Sequence, residues 1–554
     1  MINIFLTITL YISLIGYSLF GKLLIIDLIT NKDTNSKKEF RNFELIIGIF
    51  FLALVSIIAN IFIPLKNISI FVIILGLINF CILFKKFLFK FSFISLIALI
   101  IFFNLIISYN PLATDSHVYH LQIIKWYHNY KTILGLAQLE SRFGLNSIWH
   151  YILGLIYFDF KGSNTIYLFN LIPIIALFNE VFNLTKKDIS KFSNKFITAC
   201  VFFIIIFTVI HPYPNGTILS LLGSPEVDTP GMIFFIICIY YFIRIFEKNS
   251  YKNFYYFVIA SSLCVTIKLS YLICLLLFFY IIFFDKEFTK NIKKLTPIFI
   301  LVFFWVLQSY LNSGCLIFPL NQLCFSVPWG FNSETLIFFK NFDITAFIRS
   351  KNNPVNYLDS NYYLYSYQWV LPWIKNYLLK SSFFLISVTI IFFSTLLITY
   401  NLLTKQNKIF PKKIYFGIIF FIVVFILIWS NAPEFRYTLG IFISITCIIF
   451  SISISFYEKL IKKFFFLNKI SIIILFCILL FNNLDLVYKK PNQFTTSRVY
   501  NYEKFIFSHK ENDFNFYLPN NTCALFDEIC TYSEKKNLTI IKVNSYYLIH
   551  NKLK

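Results

Sequence analysis

Charged side chains are scarce in this chain: Asp, Glu, Lys and Arg make up 14% of its 554 residues, while 58% are hydrophobic. One soluble core of that length could not hide so much apolar surface, which excludes an ordinary water-soluble enzyme and makes the bilayer the solvent. A P-loop and a Gly-rich phosphate cradle are also missing, and nothing reads as a nucleotide-binding domain, which argues against a nucleotide-driven pump. The eleven Cys fall mostly inside apolar runs with no CxxC pair, and no His completes a zinc set, so most are read as small core residues. The run from Ile2 to about Ile29 lacks a basic leader and a cleavage site and is expected to be a retained span.

Leu, Ile and Phe fill the apolar runs, Phe occurring 72 times. With the high Lys, Asn and Tyr usage this fits an AT-rich genome and needs no stacking or cofactor explanation. Runs of about twenty apolar residues cross a bilayer as helices. They predict an all-α polytopic membrane protein with about fourteen spans, near 2–28, 44–64, 68–84, 91–108, 164–182, 196–211, 231–246, 253–267, 270–284, 295–311, 382–400, 414–430, 438–456 and 470–488. The formal charge of +23 sits in short clusters between these runs, such as Lys85, Lys86 and Lys90, or Lys405, Lys408, Lys412 and Lys413. Such clusters are topology signals and not a groove for nucleic acid. All of them are cytoplasmic together if the short stretch 147–160 does not cross but lies as an interfacial or re-entrant helix.

The chain then divides into N-terminal spans over 1–108, a first outer loop with its interfacial helix over 109–163, a core of spans over 164–488, and a small extracytoplasmic tail over 489–554. Outer loops of the core are 212–230, 313–381 and 431–437. The expected location is the cytoplasmic (inner) membrane of a bacterium, with the unusual polar chemistry outside. An external tail would allow a disulfide between Cys523 and Cys530.

The first outer loop is dense in titratable groups. A helix from about Thr114 puts Asp115, Tyr119, Gln122 and Trp126 on one stripe, an acid, phenol, amide and indole suited to a sugar, with His117, His120 and His128 opposite. Asp115 fits a helix N-cap equally well. His117 and His120 lack a third ligand, and no pattern indicates a divalent metal. A second outer segment carries Glu226 and Asp228 just before a span, as functional carboxylates or as caps with Pro230 in the first turn. Lys268 and Arg436 stand outside the basic loops at the outer boundary. They suit a phosphate, against the alternatives that Lys268 snorkels and Arg436 pairs with Glu434. Trp329, Trp369 and Trp373 read as interface anchors.

The stretch from Asp115-Ser116-His117-Val118-Tyr119-His120 to Trp126 carries a resemblance, together with Gly135-Leu136 and Arg142-Phe143-Gly144-Leu145-Asn146-Ser147. Ser224-Pro225 with Asp228, Lys268, Ser313-Gly314 with Pro319, and Ala432-Pro433-Glu434 with Arg436 extend it over most of the chain. Together they resemble the GT-C superfamily of polytopic glycosyltransferases and, more closely, an uncharacterised family of large bacterial membrane proteins related to it. The resemblance implies transfer of a sugar from a polyprenyl-phosphate carrier to a glycan, lipid or protein acceptor outside the cytoplasmic membrane. The base or acceptor-positioning role of the first outer loop then falls on Asp115, with His117, Tyr119, His120, Gln122, Trp126, Arg142 and Asn146 as substrate-binding candidates. Two features depart from the best-known members: about four spans precede the loop instead of one, and their tandem acidic pair is Asp115-Ser116 here. Rival readings are a surface-polysaccharide polymerase, and a transporter or flippase of lipid-linked sugars, although no internal repeat of the transporter kind is seen.

Overall fold

A computed structural model describes residues 2–27, 38–109, 115–210, 222–284, 294–403 and 433–457, with short breaks inside them, and the strand segments 506–511, 514–518, 538–543 and 546–551. The described chain is mostly helical. Its main helices are α1 (Ile2–Gly21), α2 (Leu45–Phe62), α3 (Ser69–Leu83), α4 (Phe93–Tyr109), α5 (Leu121–Asn129), α6 (Ile148–Leu155) and α7 (Thr165–Phe182). They continue as α8 (Phe192–Ile210), α9 (Asp228–Glu247), α10 (Tyr251–Ile267), α11 (Ile273–Phe284), α12 (Thr296–Ser313), α13 (Ser382–Leu403) and α14 (Phe435–Ser455). Among the described residues eight helices are long and apolar enough to cross a membrane, and three shorter apolar ones lie at Phe93–Ile107, Phe192–Phe207 and Leu269–Phe283. The expected spans at 414–430 and 470–488 fall outside the described residues.

Large apolar side chains cover the outward faces, among them Phe71, Phe283, Phe303 and Phe392. Only a hydrocarbon solvent tolerates such a surface without aggregation. Inside, α1 packs along α3 and α2. A Cβ on Gly16 would fall 1.8 Å from the Gly76 carbonyl oxygen, so the α1–α3 crossing is as close as backbones allow.

Polar bonds gather at the two ends of the bundle. At one end, strands β1 (Lys38–Phe40) and β2 (Phe87–Phe89) pair in parallel. There the buried Glu44 accepts from Lys22 at 2.6 Å and from the Tyr256 hydroxyl at 2.8 Å, and Glu180 accepts from the Asn42 amide at 3.1 Å. The loop after α4 enters at the other end. Helix α6 has eight residues, about 12 Å of rise, less than the thickness of a bilayer core. The two-residue strands β3 (Asp159–Phe160) and β4 (Ser163–Asn164) then turn the chain directly into α7.

At this same end Gly314, with φ +78°, closes α12 and starts a loop pinned by a disulfide between Cys315 and Cys324. The sequence reading did not foresee that bond; the pair it considered, Cys523 and Cys530, lies outside the described residues. The tail contributes two antiparallel hairpins, β5 (Ile506–Glu511) with β6 (Phe514–Leu518) and β7 (Leu538–Val543) with β8 (Tyr546–Asn551). Strand β8 docks on the loop after α5: the Ile549 amide donates to the Leu134 carbonyl at 2.9 Å, and the Tyr546 hydroxyl to the Ile61 carbonyl at 3.1 Å. The β7–β8 hairpin, disulfide loop and first loop therefore share one end of the bundle.

Disulfides persist on the oxidising side of a membrane, so the sidedness inferred from the lysine clusters has a direct test. A membrane-impermeant maleimide added to intact cells is expected to label Cys315 and Cys324 only after reduction; labelling that needs lysis and no reductant would reverse the orientation.

Candidate functional site

Helices α9 and α14 cross near their first turns. A Cβ on Gly440 would lie 3.0 Å from the Met232 Cα, and one on Gly231 would lie 2.8 Å from the Tyr271 ring. Small residues at the crossing let the two backbones meet, which brings Asp228, the first residue of α9, beside Arg436, the second of α14. The loop after α4 reaches the same point through a π-helical turn, Ser116–His120, that begins beside Asp115. Arg436 then bridges two carboxylates, with Nη2 at 2.6 Å from Asp115 Oδ2 and Nε at 3.4 Å from Asp228 Oδ2. Lys268 donates to the other Asp228 oxygen.

The start of α14 is not a regular helix, because Thr438 has φ −127° and ψ 18°. The kink opens carbonyls that an α-helix would satisfy internally. The Arg436 carbonyl accepts from Lys268 Nζ at 3.2 Å, and the Tyr437 carbonyl accepts from the Ser270 hydroxyl at 2.5 Å. The freed Gly440 amide donates to the Tyr271 hydroxyl at 3.4 Å. Residues 268–271, between α10 and α11, thus answer the whole opened turn. Lys268 Nζ also lies 4.7 Å from the centre of the Tyr437 ring, so the ammonium is engaged on three sides.

Exposure falls steadily through the cluster. Side-chain values are 31% for Arg436, 26% for Asp115, 13% for Lys268 and 5% for Asp228, and the residue value for Glu226 is 1%. Asp115 and Arg436 form the mouth, and the other three form the floor. Burial, then the neighbouring Asp228 and Asp115 charges, push the Glu226 carboxyl up to about 8 against the opposing pull of Arg436. Its Oε1 accepts from the Ser116 hydroxyl at 3.4 Å, and among the described residues its buried Oε2 has no hydrogen-bond partner. Because the Glu226 carboxyl lies against that of Asp228, a proton between them satisfies both. With Glu226 neutral, two anions and two cations balance.

Asp115 makes no side-chain cap bond, and the residue before α9 is Val227, so Asp228 stands inside the first turn and not at the cap. Arg436 does not pair with Glu434, whose carboxylate takes Lys351 and the Tyr377 hydroxyl instead. Glu226 and Asp228, expected to act in catalysis, are both buried, and Asp228 pairs with the two cations.

The expected stripe is split. A π turn bonds i to i+5 and so breaks the 3.6-residue rhythm. Asp115 and Tyr119 stay at the mouth, whereas Gln122 and Trp126 are buried inside the bundle. Tyr119 lies beneath the Arg142 guanidinium at 5.4 Å and against the His120 ring at 4.0 Å, and Arg142 itself bonds Glu140 at 2.9 Å. Burial and then Asp115 hold the Tyr119 phenol well above its usual range. Burial and then Arg436, Lys268 and Arg142 hold the His120 imidazole well below its own, so it is neutral. His120 Nδ1 meets His150 Nε2 at 2.8 Å, a partner on α6 that the sequence reading passed over. Asn146 is not brought to the cluster: in a left-handed conformation it donates to the Trp305 carbonyl at 2.8 Å and accepts from the Tyr151 hydroxyl at 3.0 Å, fastening α6 to α12. The His117 side chain lies outside what the structure describes. Among the described residues no three His, Cys, Asp or Glu side chains stand together as metal ligands.

Glu226 has a consequence for stability. Between its ordinary value near 4.5 and about 8 the folded protein holds a proton that the unfolded chain has released, so stability falls as pH rises through that window and levels off above it. Glu226→Gln keeps a neutral group there. Thermal melts in detergent are expected to show the variant matching the parent near pH 5 and exceeding it by about 2 °C or more near pH 8; parallel curves would mean that Glu226 is ionised in the folded state.

No curated protein and no solved structure matches the chain. The profile of the family described as Domain of unknown function (DUF8201) matches residues 1–443, a span that includes every member of the cluster, and the chain belongs to that family.

Proposed function

We propose that the protein is a membrane glycosyltransferase of the GT-C type, crossing the bilayer about fourteen times. It would move a sugar from a polyprenyl-phosphate carrier to a cell-envelope acceptor at the outer face of the cytoplasmic membrane. The observation that carries this reading is the contact at the mouth of the cluster, where the most open carboxylate, Asp115, meets the most open cation, Arg436. A base for an acceptor hydroxyl and a planar cation for a phosphate lie within one bond of each other, which is what displacement at a sugar–phosphate centre needs.

In this mechanism Asp115 takes the acceptor hydroxyl proton as that oxygen bonds the anomeric carbon. The bond from that carbon to the phosphate oxygen breaks, and its electron pair leaves with the carrier phosphate. Arg436 stabilises the charge, with Lys268 behind it. A single displacement inverts the anomeric centre.

One observation favours a transporter of lipid-linked sugars as a second reading: the broken start of α14 beside buried carboxylates is the kind of discontinuity that lines ion and substrate sites in carriers. Release of the bare carrier phosphate separates the two. Purified protein incubated with a panel of polyprenyl-phosphate sugars is expected to release it, whereas movement of intact carrier across a vesicle without release would make the protein a transporter. Asp115→Asn should lower transfer by about 10² or more with abundance unchanged, since the amide keeps the shape and cannot take a proton. Arg436→Met is expected to raise the donor KM about tenfold, as loss of a charge-assisted bond does. A change in acceptor affinity alone would reverse the assignment of the two subsites.

A further inference from the structure

We propose that Arg436 is a donor-sensing switch: it holds Asp115, and a carrier phosphate draws it away and so frees the Asp115 carboxylate to act. The inference rests on the glycosyl-transfer reading and adds a regulation of that site which no bare list of its residues contains.

Four observations carry it. The Arg436–Asp115 contact, at 2.6 Å, occupies an Asp115 oxygen with a guanidinium, so the group assigned to accept a proton is engaged. These two side chains are the most open members of the cluster, and a ligand arriving from outside meets them first. Arg436 sits on the short turn Phe435–Tyr437, cut off from the body of α14 by the non-helical Thr438. Lys268 and Ser270 hold that turn by its carbonyls, so what can change partner is the Arg436 guanidinium and not the backbone that carries it. Lys268 is engaged by Asp228, by the Arg436 carbonyl and by the Tyr437 ring. Of the two cations, Arg436 has the more exposed side chain.

Carboxylates and phenols surround the guanidinium. Asp115 comes from the first loop and Asp228 from α9, with Glu226 neutral beneath and the Tyr119 and Tyr437 rings beside them. A phosphate monoanion offers the planar two-point contact that Arg takes in preference to single-oxygen bonds. Exchanging Asp115 for a phosphate keeps Arg436 paired, and the carboxylate that is released faces the acceptor.

The test reads Asp115 itself. Full-length protein in lipid nanodiscs is treated with a water-soluble carbodiimide and an amine at about pH 6, and modification of Asp115 is quantified by mass spectrometry with Asp188 as the internal control. A C55 polyprenyl phosphate is expected to raise Asp115 modification about threefold or more, while the uncharged C55 polyprenol leaves it unchanged. Arg436→Gln should show the raised level without added polyprenyl phosphate and no further response to it. Modification in the parent protein that is unchanged or lowered by the polyprenyl phosphate overturns the switch, as does an Arg436→Gln variant at the parent's basal level. The two proposals fail separately. A phosphate response without sugar transfer leaves the switch and removes the enzyme; transfer without a phosphate response leaves the enzyme and removes the switch.

Discussion

A helix carbonyl that loses its internal partner among apolar helices must find another donor, because no water is there to supply one. At the kinked start of α14 the donors come from Lys268 and Ser270, and the rest of the site hangs on that arrangement. Lys268 cannot reach the open Arg436 carbonyl without standing beside Asp228. Asp228 cannot balance Lys268 without leaving its second oxygen to Arg436. Arg436, placed by the turn those donors hold open, then projects to Asp115. The kink therefore sets the geometry of the cluster as much as its charges do.

The opposite end of the bundle shows what a purely structural ion layer looks like. Glu44 there is wrapped by Lys22, Lys252 and Tyr256, and Glu180 by Asn42 and Arg41. Both acids are buried and saturated, and breaking either set would strand a charge. The α9–α14 end has the same currency of paired charges but a graded exposure, with one ion pair at the surface. That difference, more than residue type, separates a fastening from a site.

Much of this was legible in the sequence. Apolar runs locate the helices, and the short run at 147–160 contains a helix of only eight residues. Asp115, Glu226, Asp228, Lys268 and Arg436 stood out because each is a charge at the edge of an apolar segment, and these five form the cluster. Three things were not legible. A π turn has no signature in hydrophobic periodicity, so the stripe through Gln122 and Trp126 was drawn at the wrong pitch. The break at Thr438 depends on donors supplied 168 residues away, which no local propensity encodes. Asn146 looked like a loop residue free to bind, because its left-handed backbone and its bonds to Trp305 and Tyr151 arise only once α6 lies against α12.

The pairing of Lys268 with Asp228 spans only 40 residues, across two consecutive helices, whereas Arg436 enters much later in the chain. During synthesis α9 and α10 can therefore leave the translocon as a hairpin whose two end charges already cancel, which lowers the cost of delivering each to lipid. Asp115, made first, must wait for α14 before it has its counter-ion. By sequence order the Lys268–Asp228 pair can therefore form before the α14 segment is made, and the Arg436–Asp115 pair cannot.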